Sequence, residues 1–132
     1  MAVVDRPVVK PRPVYLNLIA IRLPLPGLVS ILHRVTGALL FLPGIPLLLL
    51  AMQTALSNPE TWSEFRRWFE LPWVKLVAIG MTWAYLHHLF AGVRHLVMDL
   101  HIGMDLPAAR RSSALVLVLP VLLTLAVAVR LW

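Results

Sequence analysis

The sequence predicts an all-α membrane protein of three transmembrane helices, and three observations carry that fold class. Hydrophobic residues make up 60% of the chain, and the mean hydropathy is +0.83, well above the level of soluble domains. Residues 35–52, 76–93 and 112–129 each form a run of 18 without Lys, Arg, Asp or Glu. As a helix rising about 1.5 Å per residue, each run covers about 27 Å, close to the roughly 30 Å hydrocarbon core of a bilayer. The basic residues collect at the ends of these runs, where they act as topology signals.

Residues 1–27 are an N-terminal arm. Pro7, Pro11, Pro13, Pro24 and Pro26 make it extended or turned rather than one continuous helix. The first apolar run begins well inside the chain and is followed by no small-residue cleavage site, so no removable signal peptide is expected. Residues 28–132 form the membrane anchor. Its first helix is expected over about 28–56, with Pro43 and Pro46 predicting a kink in the outer half.

The stretch SNPETWSE then reads as a turn and a short helical start. Asn58 can cap, Pro59 suits the first helical position, and the acids suit the first turn. Pro72 and Trp73 open a second helix over about 73–101, ended by Gly103 and Pro107. The third is expected over about 111–131, with Pro120 inside it. Trp73 and Trp132 fall at the outer boundary, as an aromatic belt requires.

Arg6, Lys10, Arg12, Arg22 and Arg34 precede the first helix, and Arg94, Arg110 and Arg111 follow the second. Only Arg66, Arg67 and Lys75 lie between them. By the positive-inside rule the N-terminus and the 94–111 loop are cytoplasmic, and the C-terminus is outside. The net charge of +6 is therefore a topology signal and not a nucleic-acid patch, for which solvated basic clusters with interleaved aromatics would be needed. The chain has no cysteine, so it offers no disulfide, thiolate zinc site or iron–sulfur ligation of its own. A metal held here needs histidine.

The stretch SILHRVTG, Ser30 to Gly37, sets a hydroxyl, an imidazole and a guanidinium just before one of the most apolar runs. Such groups at membrane depth cost several kcal/mol unless partnered. His87 and His88 lie inside the second run, whereas His33, His95 and His101 lie near the cytoplasmic boundary. An intramembrane histidine is a ligand or relay candidate by default. Gly80, Ala84, His88 and Gly92 recur at steps of four and form one nearly bare ridge. It suits either clearance for a flat macrocycle or close helix packing by small residues. His87 is turned about 100° from His88, so both cannot serve one iron. His88 lies about 16 Å along the helix from Asp99, which makes pairing with His33 or His95 awkward within this chain.

Two motifs carry a resemblance to a known family. One runs from Arg12-Pro13 through Leu18 and Leu25 to Ser30-x-x-His33-Arg34-x-Thr36. The other is His88-x-x-x-Gly92-Val93-Arg94-His95-Leu96-x-Met98-Asp99. In both, the chain resembles the cytochrome b subunit of succinate dehydrogenase, the larger membrane anchor of succinate:quinone oxidoreductase, respiratory complex II. One departure is His101, where the family usually has a small residue.

The resemblance implies a role for each matched position. His88 becomes an axial ligand of haem b iron, with the second histidine supplied by a smaller anchor in a heteromeric helical bundle. His33 and Arg34, with His95, become partners of the haem propionates, and Ser30 and Arg34 become ubiquinone-site residues. A flavoprotein and an iron–sulfur protein would be the other partners, in a bacterial inner membrane. The chain would not oxidise succinate itself but would join electron transport from the tricarboxylic acid cycle to the quinone. An anchor of a fumarate reductase using menaquinone and a cofactor-free membrane adaptor are the alternatives.

Overall fold

The computed structural model describes residues 21–132. The described residues are helical almost throughout: α1 (Leu25–Leu39), a π-helical turn (Leu40–Gly44), α2 (Ile45–Leu56), α3 (Pro59–Trp68), α4 (Pro72–Asp99) and α5 (Leu106–Leu131). Among the described residues, three helical stretches are long and apolar enough to cross a membrane: Leu25–Leu56, Pro72–Asp99 and Leu106–Leu131. Of the N-terminal arm, residues 1–20 lie outside the described residues, and with them Arg12, Pro13 and Leu18.

The first span begins at Leu25 rather than near residue 28, because Pro26 sits in the first turn, where a missing N–H costs no helical bond. Within this span Pro43 is taken up by a wider turn. The Ile45 N–H donates to the carbonyl of Leu40, five residues back, and the helix resumes as α2. Gly44 in this turn packs against the Met81 side chain of α4, whose Cε lies 2.8 Å from where a Cβ would be.

After α2, Asn58 caps α3 as the sequence predicts. The Thr61 N–H donates to Asn58 Oδ1 at 2.8 Å, and the Asn58 N–H donates to Thr61 Oγ1 at 3.2 Å. Glu60 in the first turn and Arg66 and Arg67 in the last complement the helix dipole. With 10 residues, α3 extends only about 15 Å and cannot span a bilayer. It presents Trp62, Phe65, Trp68 and Phe69 as one aromatic cluster.

The second span, α4, stops at Asp99, two residues earlier than the sequence suggests, because His101 adopts the left-handed backbone conformation at φ 60°. The third span starts earlier than residue 111. Asp105 accepts a hydrogen bond from the Ala108 N–H at 3.2 Å, and Pro107 falls in the first turn of α5 instead of closing the previous helix.

The α4 helix packs against both α1 and α5, and α1 also touches α5. Lys75, at the start of α4, places its Nζ 5.4 Å from the ring centre of Trp132. The start of α4 and the end of α5 therefore share one end of the bundle. The core is small, built on Val29, Ala91 and Val116 with Phe90 and Leu117 against it. Ala84, Ala109 and Ser113 are also buried between the helices. Small residues at such interfaces let backbones approach closely, which matters where lipid removes the usual hydrophobic drive between helices.

Candidate functional site

The geometry that joins α1 to α4 is set by two positions on α1. A Cβ on Gly37 would lie 2.8 Å from Cε1 of His88, so the absent side chain is what admits the imidazole. Thr36 is buried and binds its hydroxyl back into its own helix, to the carbonyl of Leu32 at 2.8 Å or of His33 at 3.1 Å. Its Oγ1 lies 3.4 Å from His88 Nδ1.

His88 Nδ1 lies 3.0 Å from the backbone carbonyl oxygen of His33. A carbonyl only accepts, so Nδ1 carries the proton. In the neutral ring Nε2 then keeps its lone pair. A backbone carbonyl that fixes the tautomer in this way also fixes the ring's orientation and raises the basicity of the opposite nitrogen.

Three imidazoles meet at this point. The His33 ring stacks on His88 with centroids 4.1 Å apart and planes 16° apart, and His95 follows at 5.1 Å from His33. The two sets of histidines that the sequence separates by depth are thus in part level. The first span starts early enough, and lies against α4 in such a register, that His33 reaches His88 directly. At 4.1 Å the stacked rings are already at van der Waals spacing, so no macrocycle fits between them. Among the described residues, no group of three or more His, Asp or Glu is arranged to hold a free metal ion.

The bare ridge of α4 has two fates. Ala84 is buried inside the chain, and a Cβ on Gly92 would lie 3.6 Å from His33 Nε2, so both positions serve helix packing. Gly80 has nothing within 4 Å of where its Cβ would be and remains open. His87, one residue from His88, points the other way: it is 0% exposed and stacks on Trp83 at 5.5 Å. Neither of its ring nitrogens has a hydrogen-bond partner among the described residues.

Ser30 and Arg34 stand four residues apart on α1 and share the helix face next to His33. Ser30 is half-buried and Arg34 exposed. The structure therefore clusters His33, His88 and His95, with Ser30 half-buried and Arg34 exposed on the adjoining face of α1. Gly37 is the position that sequence reasoning missed. Its signal was the step of four from His33 to Gly37, which puts both on the face of α1 that meets α4.

Comparison with known proteins gives one family. The Succinate dehydrogenase/Fumarate reductase transmembrane subunit family matches residues 9–127. The succinate dehydrogenase cytochrome b556 subunit of Coxiella burnetii is 34% identical over 122 residues, covering 92% of this chain and 97% of that protein. The subunit of the same name from Paracoccus denitrificans is 34% identical over 103 residues, 77% of this chain and 78% of that one. The mitochondrial cytochrome b560 subunit of Sus scrofa is 31% identical over 121 residues, 84% of this chain and 66% of that protein.

Proposed function

The chain belongs to the succinate dehydrogenase/fumarate reductase transmembrane subunit family, and from that premise we propose that it is a haem- and quinone-binding anchor of a succinate dehydrogenase. It is an integral membrane protein, and its three spans and bacterial relatives place it in the inner membrane. The family spans both directions of the reaction, and the names of the relatives favour the succinate-oxidising one over a menaquinone-linked fumarate reductase.

One observation carries the haem reading: His88 donates from Nδ1 to the His33 carbonyl and so keeps the Nε2 lone pair for a metal. Residues and group fit, because the ring is oriented before any ligand arrives, and because the stacking of His33 on His88 leaves no room between them, so that this chain would offer one axial nitrogen and not two. His88 would be the axial ligand from this chain, and a smaller anchor subunit would supply the second histidine. His33, Arg34 and His95, on the same side of His88 as the positive end of the bundle, would hold the propionates by charge-assisted hydrogen bonds. When bound, haem b supplies a one-electron relay.

Ser30, half-buried, and Arg34, exposed, on α1 suit a pocket completed by the iron–sulfur subunit. There the Ser30 hydroxyl can donate to a ubiquinone carbonyl, and the Arg34 guanidinium can stabilise the negative charge that develops there. Succinate would be oxidised in the flavoprotein, and electrons would arrive through the iron–sulfur subunit. This chain has no cysteine with which to carry clusters of its own.

The test is a reduced-minus-oxidised visible spectrum of the complex purified through a tag on this subunit. A low-spin b-type haem with a flavoprotein and an iron–sulfur protein is expected. His88→Leu should abolish that haem and His87→Leu should keep it. Wild-type haem in His88→Leu would refute the ligand assignment, and a colourless solitary chain would favour the adaptor.

A further inference from the structure

Arg94 lies outside the histidine cluster. Six residues after His88, it is turned about 120° from that imidazole and falls within about 20° of His87, on the side of α4 that meets α5. Only 7% of it is exposed. Its Nε–H donates to Ser112 Oγ at 3.0 Å, a neutral acceptor, and its Nη2 has no partner among the described residues. A guanidinium held this way in a low-dielectric surround calls for a counter-charge.

Arg94 and Ser112 line a cavity of about 370 Å³ between α4 and α5. They are its polar side chains; the rest of the wall is apolar, with Val97 toward the loop and Phe90, Val116 and Leu119 deeper along the helices. Arg94 lies five residues before the end of α4, about 7.5 Å along the axis, which is headgroup depth and not the midplane. Arg110 and Arg111 are exposed in the first turns of α5 beside it, so the end of the bundle is positive. A single cation at the head of an apolar trough matches an amphiphile with an anionic head and a hydrocarbon tail.

We propose that this groove is a binding site for an anionic phospholipid. Its phosphate meets Arg94 and Ser112, and an acyl chain lies along Phe90, Val116 and Leu119. A haem propionate is disfavoured as the counter-charge because Arg94 faces away from His88. The proposal holds whether or not the haem assignment does.

The test uses the purified complex, with bound lipid measured by native mass spectrometry and haem and subunit content measured in parallel. Anionic phospholipid should be retained in stoichiometric amount. After delipidation, phosphatidylglycerol should rebind and phosphatidylcholine should not. Arg94→Gln should weaken rebinding about tenfold, the loss of one charge-assisted contact, and Arg94→Lys should weaken it less. Val97→Trp, at an exposed groove position, should block the lipid while leaving Arg94 and the haem in place. Lipid retention at the wild-type level in both Arg94→Gln and Val97→Trp would overturn the site. So would thermal stabilisation by inorganic phosphate equal to that by phosphatidylglycerol, which would mean a bare anion site. Loss of haem or of a subunit in Arg94→Gln with lipid unchanged would also overturn it, by assigning the counter-charge to a propionate or a partner carboxylate.

Discussion

A Cβ on Gly37 would come within 2.8 Å of His88 Cε1, whereas one on Gly92 would sit 3.6 Å from His33 Nε2. The first distance is a clash and the second ordinary contact, although both glycines lie at the seam of the same helix pair. Gly37→Ala must push the imidazole off the His33 carbonyl or push α1 off α4, an overpacking cost of about 1–3 kcal/mol. Haem per purified complex should fall several-fold in Gly37→Ala and stay near wild type in Gly92→Ala, read from the reduced haem absorbance. Equal haem in both variants would show that the His33 carbonyl does not orient the ligand. The sequence separates His87 from His88, because a step of 100° is a property of the helix alone. It does not disclose that His33 stacks on His88, because the register between two helices depends on where each begins and how closely glycine lets them approach.

The same contrast holds for whole elements. The cap of α3 is legible because Asn58, Pro59 and Thr61 act within one turn. The end of α4 is misjudged by two residues because the left-handed position that terminates it is filled by His101 at φ 60°, not by glycine. That explains in backbone terms why a small residue suits the place. An L-residue pays about 1–2 kcal/mol in this conformation, and glycine does not. His101→Gly should therefore raise the thermal midpoint of the purified complex, with haem content unchanged. A lower midpoint would mean that the imidazole makes a contact worth more than the backbone strain. Pro43 is a case where the sequence signal is real but degenerate: a missing N–H predicts a break in the hydrogen-bond ladder, and either a kink or a π turn can absorb it.

On the scale of the molecule, three uncharged runs suffice to predict three spans, because bilayer thickness fixes their length. What covers the spans is less legible. Phe41, Leu42, Leu48, Leu122 and Val129 all point outward, and an apolar side chain facing lipid looks the same in sequence as one facing another subunit. Sidedness, in contrast, rests on charge: Arg22, Arg34, Arg94, Arg110 and Arg111 gather at the end that holds the start of α1, the end of α4 and the start of α5, and Arg6, Lys10 and Arg12 precede α1 in the sequence, against Arg66, Arg67, Lys75 and Arg130 at the other end. The positive end should face the cytoplasm. The natural absence of cysteine makes this directly measurable, since any introduced thiol is the only one in the chain. Glu64→Cys on α3 and Met104→Cys in the loop before α5 are both at exposed positions on opposite ends of the bundle. In intact spheroplasts a membrane-impermeant maleimide should label Glu64→Cys and reach Met104→Cys only after lysis. The reverse pattern would put His33, Arg34 and His95 on the outer side, away from any cytoplasmic iron–sulfur partner, and the quinone role of Ser30 and Arg34 would fall with it.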